Sequence, residues 1–182
     1  MPDDIELRDV IRQRSYRHGH FRLASGAESP FYFNLKPTMM NPKGAYLSAR
    51  ALLERIRGEV VDYVGGLEMG AVPVIACIAA VSQADGKPIK TFFVRKQAKD
   101  HGTQDLLEGL ACDETLAGRR VMIVDDVATS GGSILKAAEA ARAAGATVAT
   151  ALVIVDREEG AREALQKAGI HLLSVLKAKD FL

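Results

Sequence analysis

Residues 121–133 read VMIVDDVATSGGS and are followed at 134–145 by ILKAAEAARAAG. The apolar residues at the start predict a buried strand over 121–124, and the alanine-rich segment predicts a helix over 133–144. Between them stand two adjacent carboxylates, Asp125 and Asp126, and a run of hydroxyl residues and glycines. In open α/β sheets ligands bind beyond the carboxyl ends of the strands, so this loop is the first candidate site.

The alternation of strands and helices continues on both sides of this stretch. Further helices are predicted over 3–14, 42–58, 71–83 and 158–168, and further strands over 60–66, 88–94, 146–156 and 171–176. Two short extended pieces are predicted at 21–24 and 31–34. Strands that alternate with helices across short connections indicate an α/β fold with a mostly parallel central sheet flanked by helices. The chain shows no linker or repeat, so residues 1–182 are predicted to form a single domain.

The composition excludes several classes of protein. Lys and Arg total 24 against 23 Asp and Glu, a net charge of +1, so no general field favours nucleic acid or a membrane. No apolar run approaches the about 18 residues that span a bilayer, and the first ten residues lack the apolar core of a signal peptide. Cys77 and Cys112 form no metal-spaced or redox pair. We therefore expect a cytoplasmic protein with no nucleic-acid or membrane partner.

The loop after the central strand suits a ligand with two different parts. Residues 129–133, TSGGS, combine hydroxyl donors with glycines that let backbone N–H groups approach a phosphate, and the following helix adds its positive end. It is not a Walker loop, because no lysine precedes the hydroxyl residues. Asp125 and Asp126 can accept hydrogen bonds from a sugar diol or reach a hydrated Mg²⁺. A ligand with a phosphate and a ribose diol would satisfy both parts.

Two alternatives remain for this loop. One is a plain strand-to-helix turn in which Asp126 acts as a local cap. The other is a receiver domain, which also places paired acids after an apolar strand, but near its N-terminus. Only 56 residues follow Asp126 in this chain, which disfavours the receiver domain.

The stretch Val121–Ser133 resembles the phosphoribosyl-pyrophosphate (PRPP) motif of the type I phosphoribosyltransferases. The resemblance implies that family's fold, with a small N-terminal hood contributed mainly by residues 1–36. It also implies that the acids hold the ribose hydroxyls and that the following loop holds the 5′-phosphate. The implied PRPP-binding residues of this stretch are Asp125, Asp126, Val127, Ala128, Thr129, Ser130, Gly131, Gly132 and Ser133.

A second charged segment, RKQAKDHGTQDLLEG at 95–109, directly follows a predicted strand. Most charge runs are solvated surface, but this one lies at the ligand end of the sheet and lacks periodicity. Its length is typical of a lid. Its potential cations, Arg95, Lys96, Lys99 and His101, would neutralise a leaving pyrophosphate and exclude water.

Three stretches narrow the resemblance to the orotate phosphoribosyltransferases: FVRKQAKDHGTQDLLEG at 93–109, FRLASGAESPFYFN at 21–34 and VDRE at 155–158. This resemblance implies transfer of phosphoribosyl from PRPP to orotate, giving orotidine 5′-monophosphate and pyrophosphate in pyrimidine (UMP) biosynthesis. It implies Mg²⁺ as the cofactor. It also implies a homodimer in which the 95–109 lid acts in trans.

The same resemblance assigns roles to individual residues. Pyrophosphate is expected to contact Arg95, Lys96, Lys99 and His101. The implied catalytic residues are Lys99, His101, Asp125 and Asp126. Orotate is expected against the backbone around Tyr32 and Phe33, and against Thr129 and Arg157. Mg²⁺ is expected to bind through PRPP, with Asp125 and Asp126 reaching it through water.

Arg157 also has a chemical reason of its own to bind orotate. Orotate carries a carboxylate, and a guanidinium can bind a carboxylate bidentately. The alternative is an ion pair at the start of a helix with Glu158 or Glu159. The residues alone leave both interpretations open.

The chain departs from the family pattern at positions where cations are common, which here hold Ala24, Ala27 and Met69. Lys36 is a candidate replacement. Two other functions remain: a phosphoribosyltransferase for another nucleobase, or a PRPP-sensing regulatory protein. Regulatory proteins of this kind usually add a nucleic-acid-binding face. The cationic lid and the near-zero net charge favour an enzyme.

Overall fold

The structure is a computed structural model that describes residues 2–22, 28–97 and 106–182. Its helices are α1 (Pro2–Arg14), α2 (Lys36–Met39), α3 (Pro42–Arg55), α4 (Ala71–Ala84), α5 (Gly132–Ala143) and α6 (Ala161–Lys167). Its strands are β1 (Tyr16–Arg22), β2 (Glu28–Phe33), β3 (Tyr63–Leu67), β4 (Lys90–Val94), β5 (Leu107–Glu108), β6 (Arg120–Ala128), β7 (Thr147–Asp156) and β8 (His171–Lys177). None of the helices in these ranges is both long and apolar enough to cross a membrane.

The central sheet has six strands in the order β5-β4-β3-β6-β7-β8. Strands β4, β3, β6, β7 and β8 pair in parallel, and the short β5 runs antiparallel to β4. The predicted α/β fold with a mostly parallel sheet flanked by helices is therefore confirmed. Strands β1 and β2 form a separate antiparallel ribbon in the hood.

Helices cover both faces of the sheet. Successive residues of a strand point to opposite faces, and β6 shows this division clearly. Met122 and Val124 belong to a buried cluster shared with α3 and α4. Val121 and Ile123 belong to a second cluster shared with α5 and α6. Burial on both sides explains why this strand begins as a continuous apolar run rather than an alternating one.

The hood packs on the body of the protein through aromatic rings. The Phe33 ring centroid lies 5.2 Å from that of Tyr16 and 5.0 Å from that of Phe181, near the C-terminus. Phe31 and Phe33 are buried in the same cluster as Met122 of β6. The hood and the sheet therefore share one core.

Some element boundaries differ from the sequence predictions. Strand β6 continues to Ala128 instead of ending at 124, because β7 pairs with it as far as Asp156, opposite Ala128. Helix α6 begins at Ala161 instead of 158, because Glu158 and Gly160 have φ values of 60° and 96°, which a right-handed helix excludes. Helix α2 and strand β5 are too short to show a periodic pattern.

Candidate active site

The two predicted carboxylates meet above the loop that follows β3. A Cβ atom added to Gly70 would lie 2.8 Å from Asp125 Oδ1 and 3.0 Å from Asp126 Oδ1, so both carboxylates reach the same point. Glycine suits this position because a side chain would have to displace the acids. In the same loop the peptide bond between Glu68 and Met69 is cis. Asp125 and Asp126, called the acid pair below, thus form one wall of the site with residues 66–70.

The acid pair is held by backbone donors and is poorly solvated. Asp126 N donates to Asp125 Oδ1 at 3.0 Å, and Val127 N donates to Asp126 Oδ1 at 2.8 Å. Burial raises the pKa of Asp125 well above its ordinary value, and the negative charge of Asp126 raises it further. Burial also raises the pKa of Asp126. The pair therefore favours a ligand that brings positive charge or hydrogen-bond donors.

Two lysines act electrostatically on the acid pair. The charge of Lys96 lowers the pKa of Asp125 against the larger effect of burial, and the charge of Lys36 does the same for Asp126. Lys36 is the first residue of α2. The candidate replacement cation therefore lies within electrostatic reach of the site. Ala24 and Ala27 lie outside the described residues, whereas Met69 is exposed beside the acid pair's loop.

A small cavity separates the end of β6 from the start of α5. It has a volume of about 90 Å³ and is lined by Asp125 and by residues 127–134, so every implied PRPP-binding residue of 125–133 except Asp126 borders it. Gly131 has a φ of 82°, a left-handed conformation that favours glycine. A Cβ atom on Gly132 would find only Ser130 Oγ nearby, at 3.8 Å. Residues 129–133, the phosphate loop, therefore expose backbone N–H groups at the positive end of α5.

The described part of the predicted lid is joined to the sheet at both ends. Arg95 N donates to Leu106 O at 2.8 Å, and the Arg95 guanidinium lies 3.8 Å from the Glu108 carboxylate. Lys96 N donates to Glu68 Oε1 at 2.7 Å, which ties the start of the lid to the loop after β3. Lys99 and His101 lie outside the described residues, so their assigned roles stay predictions.

Arg157 is buried between the sheet and the hood. Its guanidinium carbon lies 4.9 Å from the centroid of the Phe31 ring, and its Nη2 donates to Ser29 Oγ at 3.0 Å. Nη2 and Nε also donate to Glu159 Oε1, at 2.7 and 3.1 Å. The interpretation of Arg157 as an ion-pair partner is therefore confirmed for Glu159. The pair does not exclude a ligand, because contacts with the described residues use only Nε and Nη2 of the guanidinium.

The residues predicted on the orotate side divide by the face of β2 on which they lie. The Phe33 side chain is buried in the core, so this residue can offer a ligand only its backbone. The Tyr32 ring is half-exposed and packs on Phe21, with 5.5 Å between ring centroids. Sequence reasoning missed Ser29 and Phe31 as contacts of Arg157. The available signal was the alternation of β2, which places residues 29, 31 and 33 on the buried face.

A larger cavity, of about 500 Å³, lies at the amino ends of β3 and β4 and contains none of the predicted site residues. Charged side chains on its lining pair with one another. Arg50 lies 2.9 Å from Asp85, and Arg57 lies 3.1 Å from Glu54. The smaller cavity beside the acid pair is therefore the candidate active site, because predicted site residues line it, although it is not the larger of the two.

Comparison with known proteins gives relatives along nearly the whole chain. Residues 41–171 match the family model of the phosphoribosyl transferase domain. The orotate phosphoribosyltransferase of Bradyrhizobium sp. (strain ORS 278) is 52% identical over 176 residues, which covers 97% of this chain and 95% of the relative. The chain belongs to the orotate phosphoribosyltransferase family.

Other orotate phosphoribosyltransferases agree in sequence and in fold. The enzyme of Aquifex aeolicus (strain VF5) is 41% identical over 180 residues, which covers 97% of this chain and 96% of that protein. The crystal structure of Mycobacterium tuberculosis H37Rv orotate phosphoribosyltransferase in complex with PRPP has a TM-score of 0.81 at 33% identity, with 99% of each chain covered. The narrower resemblance inferred from the three sequence stretches is thereby confirmed.

Proposed function

We propose that the acid pair, the phosphate loop and Arg157 form the active site of an orotate phosphoribosyltransferase. The reaction transfers the phosphoribosyl group of PRPP to N1 of orotate, releases pyrophosphate and gives orotidine 5′-monophosphate for pyrimidine (UMP) biosynthesis. The observation that carries the proposal is the bond from Arg157 N to Ala128 O, 2.9 Å long. It places the backbone of Arg157, whose guanidinium is buried against Ser29 and Phe31, beside the start of the phosphate loop, so one edge of the sheet can bind a phosphate and a carboxylate-bearing base.

The two halves of the PRPP motif have separate tasks in this proposal. The phosphate loop supports binding of the 5′-phosphate, because its backbone N–H groups and the start of α5 both favour an anion. The acid pair accepts hydrogen bonds from the ribose hydroxyls. As pyrophosphate leaves, C1′ gains positive charge, which two poorly solvated carboxylates stabilise. Orotate N1 attacks C1′ directly, so the site needs positioning rather than a nucleophilic side chain.

The acid pair also fits a magnesium ion. Mg²⁺ prefers oxygen ligands and is usually held by one or two carboxylates together with water and substrate phosphates. Asp125 and Asp126 would supply such oxygens through water, and PRPP would supply the others. When bound, Mg²⁺ neutralises negative charge on the leaving pyrophosphate.

The cations of the lid are proposed to bind the pyrophosphate. Lys96 supports this role, because it acts electrostatically on Asp125 and its backbone is tied to Glu68. Arg95, Lys99 and His101 belong to the same charged segment.

Replacing Lys99 by alanine is expected to lower kcat about 100-fold, because one donor to the departing charge is lost. The melting temperature should change little, because a lysine in a segment as highly charged as 95–109 is expected to contribute little packing. Initial rates and thermal unfolding measure the two quantities. Lys87→Ala, in an exposed loop before β4, is the matched control and should keep full activity. Full activity of Lys99→Ala would remove this lysine from the mechanism.

Replacing Arg157 by alanine is expected to raise the KM for orotate on the order of 50-fold, as for the loss of hydrogen bonds to a charged group. The KM for PRPP should stay near its wild-type value, because the phosphate loop and the acid pair are intact. Steady-state kinetics with each substrate varied separately distinguish the two. An unchanged KM for orotate would place the carboxylate contact elsewhere.

We also propose that the protein is a cytoplasmic homodimer whose 95–109 lid acts in trans, and that residues 1–182 form one domain with the hood. The shared core of hood and sheet supports a single domain. A Lys99→Ala chain mixed with an Asp125→Asn/Asp126→Asn chain should regain about a quarter of wild-type activity after random exchange of subunits. No recovery, with exchange shown by mass spectrometry, would indicate a lid that acts within its own subunit.

The proposed function is tested by the absorbance of orotate after addition of PRPP and Mg²⁺, with uracil and adenine in parallel. We expect consumption of orotate alone. Consumption of uracil or adenine without orotate would indicate a phosphoribosyltransferase for another base. Binding of PRPP without turnover of any base would indicate a PRPP-sensing regulatory protein.

A further inference from the structure

The contacts of Arg157 leave one nitrogen of its guanidinium for a substrate. A guanidinium side chain has five N–H groups. In Arg157, Nε and Nη2 donate to Glu159, and Nη2 donates also to Ser29. Within residues 2–22, 28–97 and 106–182, no side chain or carbonyl accepts a hydrogen bond from Nη1. The two N–H pairs of a guanidinium that can bind a carboxylate side by side are Nε with Nη2 and Nη1 with Nη2. Both N–H groups of Nη2 are used here, so a substrate would be bound by Nη1.

The contact between Glu159 and Arg157 is built into the local chain. The positive φ of Glu158 turns the backbone sharply after β7 and brings residue 159 back toward residue 157, and the positive φ of Gly160 then directs the chain into α6. The Arg157 side chain is 4% exposed and that of Glu159 is 32% exposed, so the charged hydrogen bonds form largely out of water. The Phe31 ring, whose centroid lies 4.9 Å from the guanidinium carbon, adds a cation–π contact to these hydrogen bonds.

We propose that Glu159 is a positioning residue for orotate: it holds the Arg157 guanidinium in the plane that points Nη1 at the base. This inference rests on the proposed function and deepens it, because it names the nitrogen that reads the substrate. The guanidinium is held from one side by Glu159 and Ser29. The substrate carboxylate or carbonyl meets the opposite side, already oriented.

Glu159 could instead compete with the substrate for Arg157, and this role predicts a change of opposite sign in the KM for orotate. If its carboxylate occupied the place of the substrate carboxylate, its removal would free Arg157 and lower the KM for orotate. A positioning role predicts that removal raises this KM, because the guanidinium loses its fixed orientation and its neutralising partner. The sign of the change therefore separates the two roles.

The test uses Glu159→Ala and Glu159→Gln in the full-length protein. Glu159→Ala is expected to raise the KM for orotate about tenfold, the effect of lost charge-assisted hydrogen bonds, with the KM for PRPP near wild type. Its melting temperature is expected to fall, because the buried guanidinium loses its charged partner. Glu159→Gln keeps an oxygen that can accept from Nε and Nη2, so its KM for orotate should stay within about threefold. Glu158→Ala is the matched control, because Glu158 contacts Lys177 at 3.3 Å and not Arg157. It should leave the KM for orotate unchanged.

A double-mutant cycle shows whether Glu159 acts through Arg157. In an Arg157→Ala background, adding Glu159→Ala is expected to change the KM for orotate less than about twofold. Independent, additive effects would overturn the inference, as would an unchanged or lowered KM in Glu159→Ala alone. If Arg157→Ala leaves the KM for orotate unchanged, the proposed orotate contact and this inference both fail. If Arg157→Ala raises it and Glu159→Ala does not, only the inference fails.

Discussion

The double variant Asp125→Asn/Asp126→Asn is expected to lose turnover on the order of 1000-fold, because the proposed mechanism uses both negative charges to stabilise the developing positive charge at C1′. The same variant should not be less stable than the wild type, and its melting temperature should rise by a few degrees. Burial and mutual repulsion raise the pKa of Asp125, and burial raises that of Asp126, so the ionised pair costs folding free energy at neutral pH. Asparagine keeps the side-chain oxygens that accept from Asp126 N and Val127 N.

Kinetics and thermal unfolding of the same preparation test both parts of this prediction. Asp113→Asn, at an exposed carboxylate away from the site, is the control and should match the wild type in both measurements. A double variant that loses both activity and stability would show that the acid pair mainly supports the fold. Retained turnover would contradict its role in the reaction.

Replacing Gly66 by alanine is expected to destabilise the protein by about 3 kcal/mol or more, a large part of the about 5–15 kcal/mol that holds a typical domain folded. Gly66 lies in β3, whose residues are all buried. A Cβ atom there would overlap the Ala71 Cβ atom and the Val124 carbonyl oxygen. Backbone and a helix start cannot move aside as a flexible side chain can, so α4 or β6 would have to shift.

Denaturant unfolding measures this effect, with Gly132→Ala as the comparison. At Gly132 the nearest atom to an added Cβ is 3.8 Å away, so that variant should be as stable as the wild type. A loss below about 1 kcal/mol in Gly66→Ala, within the range of ordinary mutations, would show that the packing of β3 is looser than the structure indicates.

The parts of the site that could be predicted from sequence are local in the chain. The acid pair and the phosphate loop lie within nine consecutive residues, and their order alone indicates a ligand with a diol and a phosphate. The requirement for glycine at position 70 could not be predicted this way, because it arises from close contact with Asp125 and Asp126, which lie 55 and 56 positions later in the chain. The charge of Lys36 near Asp126 likewise depends on how α2 packs against the sheet.

Helices and strands could be predicted where the hydrophobic pattern extends over many residues. Their ends could not be predicted where strand pairing overrides the preferences of individual residues. Aspartate is depleted in strands, so the sequence suggests that β6 ends before the acid pair. Pairing with β7 nevertheless carries β6 through both acids to Ala128. Arg157 shows a different limit. Its two interpretations are equally consistent with the residues. In the structure the Glu159 ion pair forms, and none of the described residues accepts a hydrogen bond from Nη1.

Arg157, just after β7, contacts Ser29 and Phe31 of β2 in the hood. These contacts connect parts of the chain that are separated by 128 and 126 positions in the sequence. Thermodynamic linkage makes such a connection reciprocal. Whatever shifts the hood changes the orientation of the guanidinium, and whatever binds the guanidinium changes how firmly the hood is docked. Under the proposed role of Arg157, replacing the N-terminal segment by that of a phosphoribosyltransferase for another base is expected to weaken the preference for orotate, although the exchanged residues lie far in sequence from the PRPP motif.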